Sequence, residues 1–158
     1  MTQTSTPRRR PPDFMYKIIN PTFKLLLRTP LHGLMSERLL LLSFTGRSSG
    51  KRYTIPVAYA QQGDTLLIAT QSRWWKNLRD GAAVQVRLRG RNRNGTSEVI
   101  TDEAGLTAAY RLLLPQGPQL SEIIGVTLDA NGEPRPEEVR RSRENGFVVV
   151  RVQLQPER

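Results

Sequence analysis

Apolar residues after position 37 concentrate in short segments that are separated by glycine, proline and charged residues. The segment 38–45 (RLLLLSFT) is apolar at consecutive positions, which predicts a β-strand covered on both faces. Residues 52–60 alternate instead, with Tyr53, Ile55 and Val57 on one side, which predicts a strand with one buried face. Together the pattern predicts six strands: residues 38–45, 52–60, 65–70, 83–89, 96–101 and 147–154.

The connections between these segments carry residues that favour turns and helix ends. Residues 46–50, 61–64 and 91–95 are rich in Gly, Ser, Asn or Gln, which predicts three tight turns. Helices are predicted at residues 13–28, 74–80, 102–114 and 135–143, with one further helical turn at 120–124. Hairpin-connected strands with helices at their edges predict a mainly β fold of the α+β class, an antiparallel barrel with peripheral helices.

The chain length of 158 residues predicts one domain. Residues 1–12 are rich in Thr, Pro and Arg, which predicts a disordered basic tail, and residues 13–158 are expected to form the domain. The amphipathic, basic segment 13–28 either packs on the barrel or contacts a membrane surface. No apolar segment reaches the roughly 20 residues that a membrane-spanning helix requires. We therefore expect a cytoplasmic protein, with peripheral membrane association left open.

Composition removes several kinds of chemistry. The chain has no cysteine, which excludes disulfides, thiolate nucleophiles and sulfur-based metal sites. Its single histidine, His32, lies in a connecting stretch, and we predict no metal site. The net charge of +10 is uneven, since residues 1–97 hold 17 Lys and Arg against 4 Asp and Glu. This charge predicts an anionic partner: nucleic acid, an anionic membrane surface or a small polyanionic ligand.

The segment 45–53 (TGRSSGKRY) joins the first two predicted strands and concentrates three cations, three aliphatic hydroxyls and two glycines. Glycine permits conformations in which successive N–H groups point into one concavity, and Arg and Lys bond phosphate oxygens. An anion-binding loop and a solvated hairpin turn both remain open from these residues alone. The segment fits neither a serine nucleophile elbow, which requires a following helix and a later histidine, nor a P-loop, which requires four residues between its glycines.

Two further clusters carry possible chemistry. Adjacent Trp74 and Trp75 point in different directions on a helix, so one can enter the core while the other flanks a ligand; simple packing of both is the alternative. The amide of Asn77 can hold a neighbouring backbone group or a cofactor. Arginines spaced by two at positions 87–93 predict a basic stripe on one face of a strand and its continuation. No aromatic residue interleaves this stripe, so we expect no nucleic-acid binding there.

The order of these features resembles the deazaflavin (F420)-dependent nitroreductase family of the split β-barrel flavin and deazaflavin oxidoreductases. The similarity covers roughly residues 20–93: a Leu-rich strand, T-G-R-x-S-G, R-x-x-x-P-V on the next strand, a hairpin and W-x-N-L. It implies a split β-barrel that binds coenzyme F420, an 8-hydroxy-5-deazaflavin whose phosphate and glutamate tail is polyanionic. FMN is the alternative cofactor.

The resemblance also implies roles for individual residues. The loop would hold the phosphate and tail, two residues of the following strand would lie against the deazaflavin ring, and the W-x-N-L segment would close the site. The implied cofactor-binding residues are Thr45, Arg47, Ser48, Ser49, Gly50, Lys51, Arg52, Pro56, Val57, Trp74, Trp75 and Asn77. Two departures stand out. The family often has Lys where this chain has Ser48. The family also often has a longer loop before the W-x-N-L segment, whereas here only three residues separate Trp74 from the preceding predicted strand.

The function implied is an oxidoreductase that transfers a hydride from reduced F420 to a small electron-poor acceptor, a quinone, an enone or a nitro compound. We assign no catalytic side chain, although Tyr53, Tyr59 and Tyr110 are candidate proton donors. The similarity also implies a homodimer. Two alternatives remain open: a non-catalytic protein that binds deazaflavin, FMN or haem, and a basic protein that binds nucleic acid or a membrane surface.

Overall fold

The computed structural model describes residues 39–157, and the predicted basic tail, the helix at 13–28 with its membrane contact, and His32 lie outside the described residues. The described strands are β1 Leu39–Thr45, β2 Arg52–Ala58, β3 Ala60–Gln62, β4 Thr65–Thr70, β5 Ala82–Leu88, β6 Arg91–Ile100 and β7 Val148–Leu154. The helices are α1 Glu103–Leu113, α2 Pro118–Ile124 and α3 Pro136–Glu144, with 3-10 helices at Arg73–Leu78 and Leu114–Gln116. None of the helices in this part of the chain is long and apolar enough to cross a membrane.

All seven strands form one antiparallel sheet in the order β2-β1-β5-β6-β7-β4-β3. The two edge strands, β2 and β3, are consecutive in the chain, and only Tyr59 separates them. A flat sheet of seven strands would be roughly 29 Å wide, and a single residue spans only about 3.5 Å. The sheet must therefore curl until its two edges meet. The predicted mainly β (α+β) fold, an antiparallel split barrel with peripheral helices, is confirmed.

Two connections differ from the prediction. The predicted strand 52–60 is interrupted at Tyr59, because its first part pairs with β1 and its last residue, Ala60, pairs with β4, so the described residues form seven strands and not six. Gln61 and Gln62 also pair with β4, so the predicted turn at 61–64 is confined to residues 63 and 64. The predicted turn at 91–95 is the start of β6, which pairs with β5 from Arg91 onward. The turn itself consists of Arg89 and Gly90, both with positive φ (50° and 79°), as two-residue hairpin turns require.

The sheet separates two apolar cores. Inside the barrel lie the inward-facing residues of β1, β2 and β5, together with the side chains of Trp74 and Leu78. On the outside of β4 and β7 a second core joins Leu67 and Val149 to α1 and α3. The first three residues of β7, Val148 to Val150, are therefore buried on both faces, whereas in β1 the outward side chain of Leu41 is 40% exposed. The expected cover on both faces of β1 is thus not provided by the described residues.

Candidate functional site

The β1–β2 connection is a closed loop at one end of the barrel. The Gly46 N–H donates to the Lys51 carbonyl (2.8 Å), and the Gly50 N–H donates to the Gly46 carbonyl (2.9 Å). Gly50 has a φ of 66°, a conformation that favours glycine. These bonds satisfy the loop backbone internally and leave the side chains of residues 47–52 exposed to solvent. The loop therefore presents its cations outward from a fixed backbone.

Ser49 and Tyr53 stabilise the loop from the side that faces the barrel. The Ser49 Oγ lies 3.1 Å from the Tyr53 hydroxyl and accepts a hydrogen bond from the Lys51 N–H (3.2 Å). Gly46 is in contact with both side chains: a Cβ at this position would lie 2.6 Å from Ser49 Oγ and 2.7 Å from Tyr53 Cε2. The loop conformation thus requires glycine at position 46 for steric reasons.

Arg47 connects the loop to the 3-10 helix Arg73–Leu78. Its N–H donates to Asn77 Oδ1 (2.9 Å), and the Asn77 Nδ2 donates to the Trp74 carbonyl (3.0 Å). Its guanidinium donates to the Asp80 carboxylate (3.2 Å) and to the Arg79 carbonyl (3.4 Å). Of the two roles predicted for the Asn77 amide, the structure shows the binding of a neighbouring backbone group. The loop and the W-x-N-L segment, which are 30 residues apart, therefore form one unit.

The two tryptophans separate as the helical geometry predicts. Trp74 is 4% exposed and stacks on Phe44 in the barrel core, with ring centroids 6.0 Å apart. Trp75 is only partly buried, and the Arg79 guanidinium carbon and the Lys76 Nζ lie 5.7 Å and 6.0 Å from its ring centroid. Trp75 is consequently the one available to flank a ligand.

The remaining predicted site residues occupy the strands. Thr45 and Arg52 are paired at the loop ends of β1 and β2, and the Arg52 guanidinium donates to Gln85 on β5. Pro56 is half-buried on the outer face of β2, whereas the neighbouring Val57 side chain is buried in the barrel core. A ring contact from Val57 would therefore come from its backbone.

The basic stripe predicted at positions 87–93 is wrong. The turn at Arg89 and Gly90 reverses the chain, and Arg93 then pairs with Val86, whose side chain faces the core, while Arg87 pairs with Asn92 on the other face. Arg93 is only 13% exposed and donates to Asp64 (3.2 Å) and to the Gln155 carbonyl (2.9 Å). Arg91 and Arg93 therefore lie on one face, where both contact Glu157, whereas Arg87 lies on the other face, so the four arginines form no continuous stripe.

Sequence reasoning missed three participants. Gln85 and Asp80 contact the predicted cations only because β5 and the segment before it lie beside the loop, and no local pattern signals such contacts. The sequence suggests the Tyr53 hydroxyl only as a candidate proton donor, although its position at the loop end, four residues after Ser49, is a usable signal for a contact with the loop. Tyr110 belongs to the core beside the helices, where burial raises the pKa of its phenol and its hydroxyl bonds Ser142. It is therefore remote from this site.

The donor set suits a polyanionic group. Residues 45–53 and 73–80 contain six Lys and Arg and one acidic residue, Asp80. The exposed hydroxyl of Ser48 adds a neutral donor beside these cations. Charged donors and hydroxyls on a fixed backbone are the groups that bind phosphate and carboxylate oxygens. The residues therefore fit the phosphate and glutamate tail of F420.

Comparisons with known proteins place the chain in a family. A protein-family model described as F420H(2)-dependent quinone reductase matches residues 28–116, more than half of the chain. The solved structure of an F420-H2 dependent reductase, FDR-A, aligns with a TM-score of 0.52 at 15% identity, over 73% of this chain and 93% of that chain. A FAD-binding protein from Mesorhizobium loti gives a TM-score of 0.50 at 15% identity, over 78% and 85%. A search of curated proteins found no match.

A further solved structure, described as a domain-swapped dimer, gives a TM-score of 0.51 at 16% identity, over 90% of this chain and 99% of that chain. At such identities the structural likeness shows the split-barrel fold alone. The family match covers β1 to β6 and both halves of the site described above. This chain belongs to the F420H(2)-dependent quinone reductase family and is thus an oxidoreductase that passes a hydride from reduced F420 to an electron-poor acceptor.

Proposed function

We propose that the loop at 45–53 holds the phosphate and glutamate tail of F420, and that a quinone is the acceptor. The observation that carries the first part is the attachment of Arg47 to Asn77 and to the Arg79 carbonyl, which fixes the first cation of the loop against the second half of the site. Such a preorganised cation binds an anion with little loss of side-chain entropy. Lys51 and Arg52, both exposed, extend the positive surface along the loop.

The ring of the cofactor would lie on the outer face of β1 and β2. Pro56 and Leu41 are paired there, and this patch is the apolar surface next to the loop. A proline lacks the N–H that would otherwise need a partner under an apolar ring. Trp75, half-buried beside the loop, would close the site from the 3-10 helix.

When bound, reduced F420 supplies the hydride, and the chain supplies binding, orientation and exclusion of water. This division of roles explains why no acid–base pair or nucleophile accompanies the described loop and helix. The quinone as acceptor rests on the description of the family, with enones and nitro compounds as the other electron-poor candidates.

The assembly and extent of the protein belong to the same proposal. We infer a homodimer, supported by the domain-swapped dimer among the structural neighbours. We further infer that residues 13–158 act as one cytoplasmic domain. Size-exclusion chromatography with light scattering measures the first of these: a mass of one chain at micromolar concentration would contradict it.

The central experiment is a fluorescence titration of the purified apo protein with oxidised F420, reduced F420 and FMN. We expect saturable binding of both forms of F420 and much weaker binding of FMN, which lacks the glutamate tail. The reduced complex is then mixed with a quinone, an enone and a nitroarene, and its oxidation is followed by absorbance. Fastest oxidation by the quinone is expected. Binding without oxidation by any acceptor would indicate a storage protein, and preferential FMN binding would overturn the site assignment.

A further inference from the structure

We propose that Tyr53 is a positioning residue that turns the hydroxyl proton of Ser49 toward an anionic oxygen of the F420 tail. The proposal deepens the function proposed above and rests on it. It assigns to Tyr53 a role in the geometry of the loop and not in proton transfer.

The ring of Tyr53 is held firmly by the barrel core. It is 7% exposed and stacks on Phe44, with centroids 5.7 Å apart and planes at 30°, and Phe44 stacks in turn on Trp74. A tyrosine so placed has an immobile apolar body and a polar end at a defined point. Here the hydroxyl is at the base of the loop, 3.1 Å from Ser49 Oγ.

The bonds around Ser49 determine where its own proton can go. A hydroxyl has one proton to donate and two lone pairs that accept. The Lys51 N–H occupies one lone pair of Ser49 Oγ (3.2 Å). If the Tyr53 hydroxyl donates to the second lone pair of Ser49 Oγ, then Ser49 can donate its own proton to a group outside the loop. Ser49 is exposed, so this proton is available to an incoming phosphate or carboxylate oxygen.

The close contact with Gly46 supports this arrangement. The space in which a Cβ would sit is occupied by Ser49 Oγ and by the edge of the Tyr53 ring, at 2.6 Å and 2.7 Å. The Ser49 hydroxyl therefore lies between the Tyr53 ring and the backbone of Gly46, and this position restricts its rotation. A serine that accepts two hydrogen bonds and donates one to an anion is a stronger donor than a freely rotating one.

The test compares two ligands that differ only in the tail: F420 and its riboside, the deazaflavin without phosphate and glutamates. Fluorescence titration gives a Kd for each with wild type, Tyr53→Phe and Tyr59→Phe. Tyr53→Phe keeps the ring and its stack but deletes the hydroxyl, so we expect F420 affinity to fall by roughly three- to tenfold. Binding of the riboside should change by less than about twofold, since only the tail contact is lost. Tyr59→Phe, at the opposite end of β2, should change neither Kd.

Equal weakening of both ligands by Tyr53→Phe would show a general structural effect and overturn the proposal, as would unchanged F420 affinity. A second set of variants tests the link through Ser49. Ser49→Ala should weaken F420 binding at least as much as Tyr53→Phe, and the double variant should be no weaker than Ser49→Ala alone. Ser49→Thr, which keeps a hydroxyl, should retain most of the tail affinity. Additive losses of F420 affinity in the double variant would contradict the proposal that Tyr53 acts through Ser49.

The same titrations distinguish a failure of the proposed function from a failure of the role proposed for Tyr53. If wild type binds F420 and its riboside equally, the loop holds no tail and the function proposed for it fails. If the tail strengthens binding in wild type and in Tyr53→Phe to the same extent, only the role of Tyr53 is wrong.

Discussion

Two hairpin connections of this barrel are rich in cations, and they differ in what they can bind. The β1–β2 loop carries Arg47, Lys51 and Arg52, and the β5–β6 turn is flanked by Arg87 and Arg91. They lie at opposite ends of the barrel, because antiparallel pairing places Arg87 beside Leu41 while the loop follows the far end of β1.

The difference lies in how each connection is built. The β1–β2 loop has six residues between its strands and is held by Tyr53 and Asn77, and its cations are exposed. The β5–β6 turn has only two residues, so its arginines follow the alternation of the strands and diverge to both faces. Arg93 is moreover paired with Asp64. Positive charge is therefore common to both connections, and the loop proposed to bind the F420 tail differs in the side chains that fix its backbone.

The largest expected effect comes from removing two cations from the β1–β2 loop, compared with removing two cations at the β5–β6 turn. Arg47→Ala with Lys51→Ala should weaken F420 binding by about 100-fold, since two charge-assisted contacts of about 1.5 kcal/mol each are lost. Arg87→Ala with Arg89→Ala removes the same charge from the other end and should weaken binding by less than about threefold through long-range attraction alone. Fluorescence titration at physiological salt measures both. Similar losses in the two double variants would mean that net charge, and not the loop, attracts the coenzyme.

Glycine substitutions test the geometry of the same two connections. Gly46→Ala forces a Cβ into Ser49 and Tyr53 and should destabilise the protein by about 1–3 kcal/mol, together with a clear loss of F420 affinity. Gly90→Ala meets no atom within 4 Å but has a φ of 79°, so it should cost about 1–2 kcal/mol of stability. Its F420 affinity should be unchanged. Urea unfolding and titration of both variants give the comparison, and a Gly46→Ala protein with wild-type affinity would contradict our account of the loop.

The contact between the loop and the 3-10 helix has a smaller expected effect. Asn77→Ala leaves the Arg47 N–H to water and frees the loop from the helix, which should weaken F420 binding by roughly three- to tenfold. Asn94→Ala on β6 is the matched control at the other end of the barrel and should leave the Kd unchanged. An Asn77→Ala protein that binds F420 as wild type does would show that the loop keeps its shape without the helix.

The smallest expected effect is a gain, and not a loss, of F420 affinity. Asp80 is 82% exposed and holds the guanidinium of Arg47. Because the carboxylate competes with an incoming anion, Asp80→Asn should strengthen F420 binding by about two- to fourfold, within the range expected of an exposed ion pair. Asp64→Asn, which removes the partner of Arg93, is the control and should have no effect on the Kd. Weaker binding of Asp80→Asn would indicate that the carboxylate orients Arg47 productively.

Much of the local structure follows from the sequence. Short apolar segments next to turn residues predicted the strands at Thr65–Thr70 and Val148–Leu154 almost to the residue, and Asp102 caps α1 through the Gly105 N–H as its residue type predicts. The short helix around Trp74 was also predicted, although it forms a 3-10 helix at Arg73–Leu78. These features depend on side-chain periodicity and on caps a few residues away, and such information is contained in a short window of sequence.

The site residues show the limit of the same reasoning. The composition of the loop predicted an anion site or an ordinary turn, and it could not separate them, because Gly, Ser and Lys favour both. Only the resemblance to a family favours the anion site, and the family model confirms the family and not the role of the loop. The contacts of Asn77 and Asp80 with Arg47 span 30 and 33 residues, and no local pattern encodes such distances.

The sequence by itself determined most of the strand content, the basic character of the first part of the chain, and the place of the cation-rich loop at residues 45–53. Only the tertiary structure decided which cations converge. One residue, Tyr59, joins the two edges of the sheet, so the barrel must close, and the pairing of β5 with β1 sets β5 beside the loop. Two positive-φ residues, Arg89 and Gly90, send the other arginines to opposite faces. The physical reason is that strand pairing and turn length, and not residue type, determine which side chains share a face.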